Sequence, residues 1–128
     1  MKVAVISDDT RTVSAHFGRA EYFLVYEIQD DTVKGKEMRP KPSHQHSSTI
    51  TQLQNGTDKT PKETSFHDSM LASVRDCEVV IAGGMGYGMY STMTQAGIKV
   101  FITDIVLADA AVKEYVAGNL VNHLERLH

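Results

Sequence analysis

Lys2 to Ser7 (KVAVIS) places four apolar residues in a row, without the alternation of a half-exposed strand. Such a run predicts a central strand covered on both faces. Tyr22 to Ile28 (YFLVYEI) reads as a second strand. After the turn-like Gln29-Asp30-Asp31, the weaker Thr32 to Met38 pairs back as the other arm of a hairpin. Glu78 to Ala82 (EVVIA) and Ile98 to Thr103 (IKVFIT) supply strands four and five. Phe66 to Asp76 spaces Phe66, Met70 and Val74 by four, one face of a helix, and Met89 to Ala96 fits a short helix ahead of Gly97. Leu107 to Ala117 carries a helical apolar stripe stopped by Gly118. The tail from Asn119 to His128 has no pattern.

The predicted order is βββαβαβα, a meander followed by two crossovers. Crossovers with short loops make parallel neighbours, so strands four and five should lie beside strand one. The expectation is an α/β fold with a mixed five-stranded sheet in the order 3-2-1-4-5, strand two antiparallel, helices on both faces. A chain of 128 residues leaves room for one domain, 1–128. Pro40 to Ser65 interrupts it with all three prolines, nine Ser or Thr and few large apolar residues, and is predicted as one long mobile loop. Its competing reading is a disordered insertion; its functional reading is a lid that closes over a bound cargo.

Composition narrows the function. Apolar residues make up 41% and charged residues 23%, which suits a packed core. Thirteen basic against sixteen acidic residues give a net charge of −3 with no basic cluster, so a nucleic-acid partner is not expected. No stretch is apolar over the roughly 18 residues that span a bilayer, and no signal-peptide pattern follows Met1, so a cytoplasmic protein is expected. The single cysteine, Cys77, cannot form an internal disulfide or build a Cys-rich metal site, and reads as a small buried hydrophobe.

In the predicted sheet the loops after strands one and three, and the carboxyl ends of strands four and five, share one edge, where open α/β sheets bind ligands. Asp8, Asp9, His16, Arg19, His44, His46, His67, glycines 83 to 88 and Asp104 fall there. Cys77, His123 and His128 are expected elsewhere. Gly83 to Gly88 (GGMGYG) lies between a strand and a helix, where backbone N–H groups can face an anion; the alternative is that glycine merely permits a tight turn. It is not the dinucleotide fingerprint, because position 89 is Met, nor a nucleotide phosphate loop, because Met89-Tyr90 follows Gly88. Asp104 leaves open a nucleotide or phosphometabolite binder with a carboxylate toward a ribose. His44-x-His46 is a metal cue, while a lone loop histidine such as His16 is usually structural. Met85, Met89 and Met93 at every fourth position read as core, although Met85 could offer a soft thioether. No Gly-x-Ser-x-Gly or other acyl-transfer arrangement is present.

The strand KVAVISDD, the run VSAHFGRAEYF, the His-bearing loop and VVIAGGMGYGMYSTMTQAGIKVF together resemble the dinitrogenase iron–molybdenum cofactor biosynthesis family. The most specific parts are His16-Phe17-Gly18-Arg19 and the glycine run with Gly97-Ile98; only about Pro40 to Ser65 is without a match. The resemblance implies a ribonuclease-H-like three-layer fold. It implies a small carrier or chaperone of iron–molybdenum cofactor or its precursors, not an enzyme; a relative, the orange protein, holds a molybdenum–copper sulfide cluster. By resemblance, His16, Phe17, Gly18 and Arg19 with Gly83, Gly84, Met85, Gly86 and Gly88 line the cluster cleft. His16, and more weakly His44 and His46, are the implied metal ligands, with no cysteine near the cleft to anchor a cluster. Implied partners are the cluster cargo and cofactor-assembly or nitrogenase-like proteins, with the chain a monomer or weak homodimer. A protein-interaction module without cargo is the remaining alternative.

Overall fold

The computed structural model describes residues 1–41 and 68–128. Five strands, β1 (Lys2–Ser7), β2 (Tyr22–Gln29), β3 (Thr32–Pro40), β4 (Val79–Ala82) and β5 (Lys99–Ile102), form one sheet in the order β3-β2-β1-β4-β5. β2 is antiparallel to both its neighbours, and β4 and β5 run parallel to β1. Helix α1 is described over 68–73; α2 is Tyr87–Gln95 and α3 is Ala108–Val116. Single 3-10 turns form at Phe17–Arg19 and Leu124–Arg126. No described helix is long and apolar enough to cross a membrane.

The unbroken apolar run of β1 is explained by the two cores that it serves. Ala4 and Ile6 join Phe23, Val25, Val80 and Ala82 beneath Met70 of α1 and Met89 and Met93 of α2. Val3 and Val5, pointing the other way, join Leu24, Tyr26, Val79 and Ile81 beneath Ala108, Ala111 and Val112 of α3. Each large side chain so buried contributes about 1.5–3 kcal/mol of transfer free energy. The β2–β3 hairpin turns on Asp30 and Asp31, both left-handed with φ of 52° and 61°, the geometry of a two-residue turn matched to strand twist. Gly97 and Gly118 take φ of 88° and 81° at the ends of α2 and α3, as their positions predict.

Several boundaries differ from the sequence expectation. β3 continues to Pro40, opposite Tyr22, and Lys41 N donates to Glu21 O at 2.8 Å. A proline is accepted there because β3 is an edge strand, whose outward amide needs no partner. The predicted loop therefore does not begin at Pro40; the rest of it, with His44 and His46, and His67 beyond it, lies outside the described residues. α2 starts at Tyr87 rather than Met89, which puts Gly88 in its first turn.

The tail that lacked a pattern is ordered by polar contacts. Asn122 accepts from Ile102 N through Oδ1 (2.9 Å) and donates through Nδ2 to Val100 O (2.8 Å), while His123 N donates to Ile102 O (2.8 Å). Leu127 packs on the first core and His128 N donates to Met85 O at 3.1 Å. His123 and His128, expected away from the ligand edge, both lie on it. Arg39, in register with Phe23, ties the sheet to the end of α1, its guanidinium donating to Asp76 at 2.8 and 2.9 Å and to Ser73 O at 2.9 Å.

Candidate functional site

The edge at the carboxyl ends of β1, β4 and β5 is built by the segment that follows β1. Asp9 Oδ1 accepts from the amides of Arg11 (2.9 Å) and Thr12 (2.8 Å) and from Thr12 Oγ1 (2.9 Å). These bonds stabilise the carboxylate and hold its pKa down to about 2. Asp9 is thus a turn-former, and Thr10 beside it takes the left-handed φ of 68°. Val13 N then donates to Val106 O (2.7 Å) and Ala108 N to Arg11 O (2.9 Å), tying the loop after β1 to the loop after β5.

From there the chain doubles back over β4. Ser14 N donates to Ile6 O (2.8 Å), Gly83 N to Ser14 O (2.8 Å) and Phe17 N to Gly84 O (3.3 Å). A Cβ on residue 83 would lie 2.9 Å from Ser14 O, and one on residue 84 would collide with Ala15 O. Gly83 and Gly84 are therefore required by the close approach of residues 14–17, and the amide of Gly83 is engaged by Ser14. Amides outside the helical ladder also lie at the start of α2. Tyr90 N to Gly86 O is the first helical rung and no side chain caps the helix, so the amides of Tyr87, Gly88 and Met89 precede the ladder at its positive end.

This ladder places the predicted site residues. His16 is exposed at the start of the 3-10 turn, its amide held by Ser14 Oγ (3.2 Å), and Gly18 is exposed beside it. Phe17 is buried, its ring 6.1 Å from that of Phe23. Lys41 Nζ lies 5.2 Å from the centre of the Phe17 ring and donates to Ala20 O at 2.9 Å; burial pushes its amine down to about 8, against an opposing pull from Asp8. Met85 is fully buried, so its thioether faces the core rather than the surface, and Met89 and Met93 pack in that same core. Asp104 is exposed, 3.8 Å from His123 Nε2, while His123 Nδ1 lies 3.0 Å from Glu125. Cys77 is buried far from this edge with its thiol pushed up to about 12 by burial. Among the described residues no group of three or more His, Cys, Asp or Glu side chains could hold a metal ion.

Sequence reasoning missed His123 and His128 at this edge. Both are brought there by backbone bonds and the Asn122 amide, which leave no hydrophobic periodicity to read.

The family model described as dinitrogenase iron–molybdenum cofactor matches residues 1–118. A curated relative, an uncharacterised protein of Methanocaldococcus jannaschii, is 28% identical over 120 residues, covering 94% of this chain and 89% of the relative. The apo orange protein of Desulfovibrio gigas shares the fold with a TM-score of 0.66 at 19% identity, covering 96% of this chain and 92% of that one. A crystal structure of a candidate dinitrogenase from Methanocaldococcus jannaschii has a TM-score of 0.64 at 18% identity, with 97% and 95% covered.

Proposed function

Because this chain belongs to the dinitrogenase iron–molybdenum cofactor family, we propose that it is a non-enzymatic, cytoplasmic carrier of an anionic metal–sulfur cluster exchanged with cofactor-assembly proteins. The cargo in this reading is iron–molybdenum cofactor or a precursor, or a molybdenum–copper sulfide cluster. The observation that carries it is the backbone ladder from Ser14 to Gly83 and from Phe17 to Gly84, which ties the residues flanking the exposed His16 to the turn that leads into the uncapped α2. A neutral imidazole donates a lone pair to a metal at the cluster edge. The first-turn amides and helix dipole complement the cluster's negative charge. A cluster that brings its own sulfides needs few protein ligands, which suits an edge whose described residues offer no three-ligand group. Lys41, buried beneath Phe17, adds positive potential while protonated. His44 and His46 are the further imidazoles this reading would use.

Anaerobic reconstitution with molybdate, sulfide and either iron or copper tests the proposal, followed by desalting, metal analysis and absorption spectra. Stoichiometric retention by the wild type, lost in His16→Ala, is expected. Replacing both His44 and His46 with Ala should weaken retention while leaving the melting temperature of the empty protein unchanged. A wild type that retains no cluster, or a His16→Ala variant that retains it equally, overturns the reading.

A further inference from the structure

Two consecutive carbonyls of the turn between β4 and α2 each hold a residue from a distant part of the chain. Gly84 O accepts from Phe17 N at 3.3 Å, and Met85 O accepts from His128 N at 3.1 Å. The first bond fixes the residue after His16; the second fixes His128 itself. We infer that His128 supplies a second imidazole to the cargo site, so that cargo is gripped from both flanks of Gly84-Met85. This rests on the carrier reading above.

Four observations carry the inference. The His128 side chain is exposed, although the residue before it, Leu127, is partly buried against the first core. Anchoring of the tail is therefore supplied by Leu127 and by the backbone, which leaves the imidazole without a packing role. The ring also lies over the turn: a Cβ built on Gly84 would come within 4.0 Å of His128 Cε1. The ring is also turned with one nitrogen toward the tail itself: Nδ1 lies 3.5 Å from Arg126 O, which leaves Nε2 as the nitrogen pointing away from that carbonyl. Finally, the tail is aimed rather than loose. Asn122 and His123 are bonded to β5 at Val100 and Ile102, and the 3-10 turn at Leu124–Arg126 redirects the chain toward Met85.

The family match ends at residue 118, so this imidazole lies in a part of the chain that the family pattern does not cover. A second donor changes what the site can hold. One imidazole and a helix N-terminus bind by charge and a single bond, whereas two imidazoles fixed by backbone bonds can chelate. Chelation slows cargo loss more than it speeds capture, because the second bond reforms before the first has dissociated.

The test compares wild type, His16→Ala, His128→Ala and the double variant after anaerobic loading with molybdate, sulfide and copper, and in parallel with molybdate, sulfide and iron. The rate at which molybdenum is lost on dilution into a chelator is measured. His128→Ala should lose molybdenum at least about ten-fold faster than wild type, as removal of a ligand's support already costs that much, with an unchanged melting temperature when empty. In wild type labelled with 15N-histidine, loading should shift the Nε2 resonance of His128. Wild-type loading with an unchanged loss rate in His128→Ala and an unmoved Nε2 resonance overturns the inference and leaves the carrier reading standing. A wild type that does not load overturns both.

Discussion

Gly83 and Ser14 are joined backbone to backbone: Gly83 N donates to Ser14 O at 2.8 Å, and a methyl group on residue 83 would sit 2.9 Å from that same oxygen. One atom is thus both the partner that requires an amide at 83 and the obstacle that forbids a side chain there. Gly83→Ala should cost about 1–3 kcal/mol, as overpacking against a fixed backbone does. It should also displace His16. Gly18→Ala, whose Cβ meets nothing within 4 Å, should stay within about 0.5 kcal/mol of wild type. Urea denaturation of the two variants checks the contrast, and equal midpoints would refute it.

Arg39 grips both carboxylate oxygens of Asp76 and the carbonyl of Ser73, with Lys2 adding a bond to Asp76 at 3.1 Å. Arg39 holds the Asp76 carboxyl well below its ordinary value of 3.8. A carboxylate with a depressed folded pKa stabilises the fold above its unfolded value, and that contribution disappears as pH falls through the folded one. Arg39→Ala should therefore lose about 1 kcal/mol at pH 7, the upper end for partly exposed pairs. The gap to wild type should narrow at pH 3. Paired unfolding curves at the two pH values measure it.

Lys41 offers the opposite dependence. Its amine is pushed down to about 8 from an ordinary 10.5. Between those values the unfolded chain holds more protons than the folded one, so the stability difference between wild type and Lys41→Met should move in wild type's favour as pH rises from 7 to 10. Denaturant midpoints of both proteins across that range test this, and parallel curves would show that the amine titrates normally.

Cys77 should be inert. Its thiol is buried and raised to about 12, so almost no thiolate exists at pH 8. Iodoacetamide should label the native protein only as fast as it unfolds, and label it at once in urea. Rapid labelling of native protein would show an accessible thiolate.

The parts of the fold legible in the sequence were those whose cause is periodic or conformational. Val3 to Ile6 announces a strand covered on both sides, and Gly97 and Gly118 announce helix ends because φ of 88° and 81° suits only glycine well. The convergence of His16 and the glycine run was legible from topology alone. The start of α2 was not, because glycine is a poor helix former and Gly88 hides the first turn. Nor was the reason for Gly83 and Gly84, which depends on where residues 14–17 pass in space. The tail was illegible for the most physical reason. Asn122 acts through its amide and His128 through its backbone N–H, and neither leaves a trace in the spacing of apolar residues.

β5 is the last strand of the sheet, and its free side would ordinarily present a row of unpaired N–H and C=O groups. Asn122 fills that row by imitation: its amide accepts from Ile102 N and donates to Val100 O, as a neighbouring strand would, and His123 N takes Ile102 O. The border is partly closed without adding a strand. A polypeptide arriving at β5, whether a second copy or an aggregating neighbour, finds Val100 O and both polar groups of Ile102 already taken. One side-chain amide thereby acts as a guard against sheet growth, on the flank that also carries His123 toward the candidate site.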